Sequence, residues 1–167
     1  MTVWKAYEGG TFEYFEREIE PEALPGFEDL VQLWKGKRKG RIVPAWSDFD
    51  VFDFKGWHGN ISVYEISYDP FDYSCILSGV EVDGVFGRTM TGVKGSELAE
   101  ARVEHPASMA FYEMASIKMK IVKTQGGLNI KGREHINVTF VGFPLSDDGL
   151  RSTHTLEALI CSEKTRA

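Results

Sequence analysis

Asp48, Asp50 and Asp53 lie close together in "AWSDFDVFDF", just behind a run of cations formed by Lys35, Lys37, Arg38, Lys39 and Arg41. Alternating carboxylates of this kind serve as oxygen ligands in a calcium loop, but such a loop needs a glycine at its sixth position and a closing glutamate at its twelfth. Counting from Asp48, the sixth residue is Asp53, and no glutamate closes the loop. Acid–base catalysis would need a His or Lys at a telling spacing, and none is there. The aspartates read instead as helix caps, with Ser47 and Asp50 in capping-box form, and as ion-pair partners for Lys35, Arg38 or Arg41. Trp34 and Trp46 flank the basic run and could stack on bases. Trp34 belongs to an apolar helical stripe, however, and the aspartates neutralise part of the charge.

The other chemistry-bearing residues are dispersed. His58, His105, His135 and His154 form no H-E-x-x-H, and Cys75 and Cys161 are too far apart for zinc-type spacing. There is no G-x-S-x-G, and "TGVKGSE" lacks the spacing of a phosphate-binding loop. No catalytic residue or metal ligand is assigned, although a spatial triad needs no sequence signature.

The bulk numbers narrow the partners. The 167 residues carry a formal net charge of -6, with 43% hydrophobic and 13% aromatic residues. That is one folded domain with an anionic surface, for which neither nucleic acid nor a membrane is expected as partner. No signal-peptide core or bilayer-spanning run is present and neither cysteine implies a disulfide scaffold, so a cytoplasmic, reducing location is expected.

The elements that must position any site are legible from spacing. Phe27, Leu30, Val31 and Trp34 follow i, i+3, i+4, i+7, with acidic residues early and basic ones late, which predicts an amphipathic helix. "NISVYEISYD" and "YSCILSG" predict two strands around the "DPFD" turn. A glycine-dense middle predicts short helices, followed by a helix opened by Pro106 with Met109, Tyr112, Ala115 and Ile117 inward. "IKMKIVKTQ", "REHINVTFVGFPL" and "STHTLEALICSE" predict three more strands. The expectation is an α+β fold: a five-stranded, mostly antiparallel sheet with short helices on one face, preceded by the amphipathic helix.

Two strands, several short helices and three strands is the order found in PAS domains. "LSGVEVDGVFGRTMTGVKGSELAE" resembles the PAS stretch with a short helix, a "G(R)xxTG" turn and an acidic "EL" helix start. "LWKGKRKGRIVPAWSDFDVFDFKGWHGNISVYEI" is similar to the leading segment of a bacterial PAS variant family with a "PARxDxD" element; Pro44, Ala45, Asp48 and Asp50 match, and Trp46 stands where arginine is common. "GFPLSDDG" matches that family's "PLS.DG" hairpin. The resemblance covers about residues 28–161. It leaves 1–27 as an N-terminal extension that runs into the first helix, and 162–167 as a tail.

The resemblance implies a stand-alone sensory or adaptor domain in signal transduction, not an enzyme. Its partner would be a signalling protein such as a kinase or regulator, with a homodimer also open. A small ligand, where one binds, would sit between sheet and helices, and the residues expected there are Cys75, Val80, Phe86, Leu98, Met109, Tyr112, Phe140, His154 and Leu156. Haem is not expected, because His105 precedes Pro106 outside the helix body. A flavin adduct is not expected, because the Asn-Cys-Arg-Phe motif is missing. The aromatic N-terminal segment, with Trp4, Tyr7, Phe12, Tyr14 and Phe15, is too apolar for a free tail and is expected to pack on its own core or on a second copy. The competing class is an α+β cup or hot-dog enzyme such as an acyl-thioester hydrolase, which would need a long central helix and a carboxylate aimed into its groove.

Overall fold

Phe27, Leu30, Val31 and Trp34 are almost wholly buried along one side of helix α1 (Glu28–Lys37), as their spacing predicts. Glu28 and Asp29 occupy its first turn and Lys35 and Lys37 its last, each sign matching the helix dipole. The computed structural model describes residues 2–7, 10–100, 108–128, 130 and 132–163, as backbone alone at 2–7, 99–100, 108–110 and 162–163.

Beyond α1 the order is as expected. Strands β3 (Ile61–Ser67) and β4 (Asp72–Ser78) lead to helices α2 (Val80–Phe86), α3 (Gly95–Glu100) and α4 (Ser108–Ile117). Strands β5 (Ile121–Gly127), β6 (Ile136–Leu145) and β7 (His154–Glu163) follow. The sheet has seven strands instead of five, because the N-terminal residues add β1 (Thr2–Tyr7) and β2 (Gly10–Phe15). In space the order is β1-β2-β5-β6-β7-β3-β4, with every neighbouring pair antiparallel. β2 pairs with β5 from Gly10↔Gly126 to Phe15↔Ile121, and its buried Phe12 and Phe15 enter opposite faces of the sheet. The alternation in "GTFEYF" therefore builds a strand on this chain's own core.

Both faces of the central strands are covered. α1 and two short 3-10 turns, Trp46–Asp48 and Val51–Phe54, close one face over Val63, Val141, Phe143 and Leu156. α2, α3 and α4 close the other over Tyr64, Cys75, Phe140 and Leu159. β7 lies inside the sheet between β6 and β3, so from Thr155 to Leu159 the side chains on both of its faces are removed from water.

The carboxylates of residues 48–53 act as caps and ion-pair partners, in a different arrangement from the one expected. Asp50, not Ser47, is the cap: its Oδ1 accepts from the amides of Phe52 (2.8 Å) and Asp53 (3.3 Å), and Asp53 Oδ2 accepts from the Asp50 amide (2.8 Å). Asp48 accepts from the Ala45 amide at 2.7 Å and pairs with Arg41, while Asp53 pairs with Lys37 at 2.7 Å. Lys35 and Arg38 turn instead toward Glu20 (3.4 Å) and Glu18 (3.8 Å). Asp53 is held below the usual carboxylate range chiefly by its hydrogen bond from Lys37. Desolvation pushes Asp48 upward, but the Ala45 amide and Arg41 outweigh it and the net shift is downward.

The "PLSDDG" hairpin joins this layer. Trp34 Nε1 donates to the Pro144 carbonyl at 3.0 Å and the Ser146 amide donates to the Pro44 carbonyl at 2.9 Å. Ser146 Oγ donates to the Arg151 carbonyl (2.6 Å) and accepts from the Gly149 amide (2.9 Å), which closes the turn internally. The stretches "VPAW" and "PLSDDG", a hundred residues apart, are two sides of one contact.

Candidate functional site

Glu157 lies in the middle of β7, buried on the face that meets the short helices. Its β6 neighbour in register is Gly142 and its β3 neighbour is buried Ser62. Gly142 is a place where glycine is required, because a Cβ there would stand 2.9 Å from the ring of Phe111. The missing side chain lets α4 settle onto the sheet, and the next residue, Tyr112, is thereby carried over Glu157. Tyr112 Oη donates to Glu157 Oε2 at 2.6 Å.

Aromatic rings enclose the carboxyl group. Tyr73 stacks on Tyr112 with ring centroids 3.8 Å apart, and Tyr64 meets Tyr112 at 5.1 Å and Tyr73 at 5.7 Å. Phe111 packs edge-on against both Tyr112 (5.1 Å) and Phe12 (6.1 Å). α3 begins against the Tyr73 ring, where a Cβ on Gly95 would come within 2.3 Å. Cys75 lies opposite Tyr64 on β4, and its Sγ donates to the Leu77 carbonyl at 3.2 Å.

Burial in this apolar setting pushes Glu157 up to about 7, against the opposing pull of the Tyr112 hydroxyl. Among the described residues no Lys, Arg or His pairs with it. The same desolvation raises Tyr64 and Tyr112 well above the ordinary phenol range and pushes the Cys75 thiol up to about 11. The thiol stays protonated and unreactive at neutral pH. Two residues before Glu157, on the same face of β7, Thr155 Oγ1 is buried with no hydrogen-bond partner. The arrangement can hold or release a proton near neutrality, and can offer a neutral or charged acceptor beside a stacked aromatic wall.

The residues expected to line this space divide sharply. Cys75, Leu98, Tyr112 and Phe140 are buried in the cluster, and Phe86 packs against it, its ring 6.1 Å from Phe140. Val80 is corrected: it is 76% exposed, because α2 turns Val82 and Val85 inward and leaves its first residue on the far side. Leu156 and His154 are corrected as well. Leu156 is buried under α1 on the opposite face, and His154, in phase with it, sits 3.6 Å from Asp147. Ile117, also expected inward, is 53% exposed, and Phe111 takes its place beside Tyr112 and Ala115. The side chain of Met109, and all of His105 and Pro106, lie outside the described residues.

Sequence reasoning missed Glu157 and Thr155. The signal was available: a glutamate flanked by Leu156 and Ala158 in a long apolar strand, which becomes conspicuous once that strand is known to be interior. Among the described residues no group of three His, Cys, Asp or Glu side chains is placed to hold a metal ion, and no helix is long and apolar enough to cross a membrane.

Comparison with protein-family models finds no match, and comparison with curated proteins finds none either. Among solved structures, that of an RNA-binding Light-Oxygen-Voltage receptor is similar to this chain at 16% sequence identity, with a TM-score of 0.47. The likeness covers 71% of this chain and 35% of that one, so the chain spans about a third of its neighbour's length.

Proposed function

We propose that the chain is a PAS-type sensory or adaptor domain that acts through a protein partner, with the Glu157–Tyr112 cluster as its input site. The observation that carries this reading is a carboxyl buried between the sheet and the short helices with no cation beside it among the described residues. A buried acid without a cation costs stability, so its retention in the core points to a role other than packing. The order of two strands, three short helices and three strands supports the PAS-type reading, as does the contact between the "VPAW" and "PLSDDG" segments. Val51 (61% exposed), Phe52 (85%) and Val80 (76%) supply apolar surface for a signalling partner such as a kinase or regulator.

Native mass spectrometry of freshly purified protein tests the input and the assembly together. A bound small molecule retained by the wild type and lost in Glu157→Leu supports a ligand in this cluster. A clean apo mass in both, with no partner recovered by cross-linking that depends on Phe52, would overturn the reading.

One observation favours a second reading. An acyl-thioester hydrolase of cup or hot-dog type needs a carboxylate in its groove, and Glu157 is a buried carboxyl group that exchanges its proton near neutrality. Against it, α1 has ten residues and packs on the face away from Glu157. Thioesterase turnover that disappears in Glu157→Gln would place this reading first.

A further inference from the structure

We infer that the Tyr112–Glu157 contact is a proton-operated latch that holds α4 on the sheet and loosens it when Glu157 ionises. The inference names protons as an input and a helix displacement as the response. It does not depend on a ligand or on the PAS-type reading.

The geometry supplies both parts of a switch. Glu157 belongs to an interior strand whose neighbours on both sides are fully paired, so that side of the contact cannot move without breaking the sheet. Tyr112 belongs to a ten-residue helix that lies against β5, β6 and β7 and is not itself part of the sheet's hydrogen-bonded ladder. The 2.6 Å hydrogen bond between them joins a fixed element to a movable one. Gly142 beneath Phe111 brings the helix close enough for that bond to form.

The surroundings make the contact sensitive to one proton. Facing Glu157 are Ser62 and Tyr64 from β3, Tyr73 and Cys75 from β4, and Tyr112 from α4, while the β6 position in register is Gly142. Asp83 of α2 acts on Cys75 from farther away and is itself engaged by Ser78 Oγ at 2.6 Å and the Met90 amide at 2.9 Å. None of these is a cation. When Glu157 loses its proton, the Tyr112 hydroxyl favours the anion but does not offset the cost of burying it, no counter-ion lies beside it among the described residues, and the remaining route to solvation is water. Water reaches it if α4 lifts. In the lifted state the carboxyl group returns to the ordinary 4.5, whereas in the closed state it is pushed up to about 7. Linkage between those values shifts the closed-to-open balance on the order of fiftyfold between pH 5 and pH 8.

Hydrogen–deuterium exchange of the full chain, corrected for the intrinsic pH dependence of exchange, tests this. Protection of residues 108–117 should fall by tens of fold from pH 5 to pH 8 in the wild type. Glu157→Gln, which keeps the acceptor but cannot ionise, should flatten that response while β6 and β7 stay protected. A wild-type response that persists unchanged in Glu157→Gln would overturn the latch, as would a wild type with no pH response in α4. Should the variant fold poorly, carbon-detected NMR titration of the wild-type glutamate carboxyls decides: one must titrate near neutrality, in step with shifts of the Tyr112 ring. Titration of every glutamate in the ordinary carboxylate range rejects the proposal.

Discussion

Tyr112 Oη and Glu157 Oε2 stand 2.6 Å apart, one on a short helix and the other on an interior strand, with no cation beside the acid among the described residues. The phenol hydroxyl opposes the upward push of burial on Glu157. Tyr112→Phe should therefore raise that acid's midpoint further and cost about 1–2 kcal/mol of stability. The loss should be larger at pH 8 than at pH 6, because the hydroxyl stabilises the anion more than the neutral acid. Urea unfolding at the two pH values measures it.

Wild-type stability should fall as pH rises through neutrality. Glu157 is raised in the folded state, from 4.5 to about 7, so between these values the unfolded chain binds fewer protons than the folded one. Its contribution is fully present below about pH 4.5, declines through pH 7 and then levels off, a change on the order of 3 kcal/mol. Glu157→Gln should remove this slope and be the more stable protein at pH 8. Denaturation midpoints at half-unit pH intervals give the comparison.

Gly142→Ala places a methyl group against the Phe111 ring, which is itself wedged between Phe12 and Tyr112. The ring cannot yield without lifting α4, so a loss of about 1–3 kcal/mol is expected. Thermal unfolding measures the loss, and near-ultraviolet circular dichroism should register the disturbed tyrosine packing. Unchanged values in both would show that α4 does not depend on this close approach.

Trp34→Phe retains a ring under the sheet but leaves the Pro144 carbonyl without its indole donor. The unsatisfied buried carbonyl and the smaller ring together should cost about 2–4 kcal/mol, with local loosening of the hairpin at residues 146–153. Amide exchange at Ser146, which donates to Pro44, reports that loosening directly.

Asp50→Ala removes the acceptor for the amides of Phe52 and Asp53 at the start of an exposed 3-10 turn. A loss of about 1 kcal/mol is expected. Loss of partner binding at unchanged stability would instead mark residues 46–54 as a recognition surface, with Phe52 at its centre.

How much was legible varies with how local the cause is. The α1 stripe, its charge polarity and the strands from β3 to β7 follow from periodicity, which the backbone enforces within a few residues. The capping function of the 48–53 carboxylates was legible too, but not its assignment. Ser47 and Asp50 have the right spacing, and so do Asp50 and Asp53; the structure puts Ser47 inside the Trp46–Asp48 turn and Asp50 just before Val51–Phe54, which makes Asp50 the cap. The extra hairpin was visible as alternation in "GTFEYF", yet its pairing with β5 rests on residues more than a hundred positions away.

The site shows the limit most clearly. Alternation in β7 separates Thr155, Glu157 and Leu159 from His154, Leu156 and Ala158, but it does not say which set meets α4. On an edge strand the polar set would face water. From Thr155 to Leu159 β7 is interior and covered on both sides, so a polar side chain on either face is buried there and no solvent preference marks the orientation. The sequence by itself determined the periods, the caps available and the presence of a lone glutamate in an apolar strand. Only the tertiary structure decided that this glutamate faces Tyr112, because the phase of a strand buried on both faces is set by the packing of α1 and α4 against it.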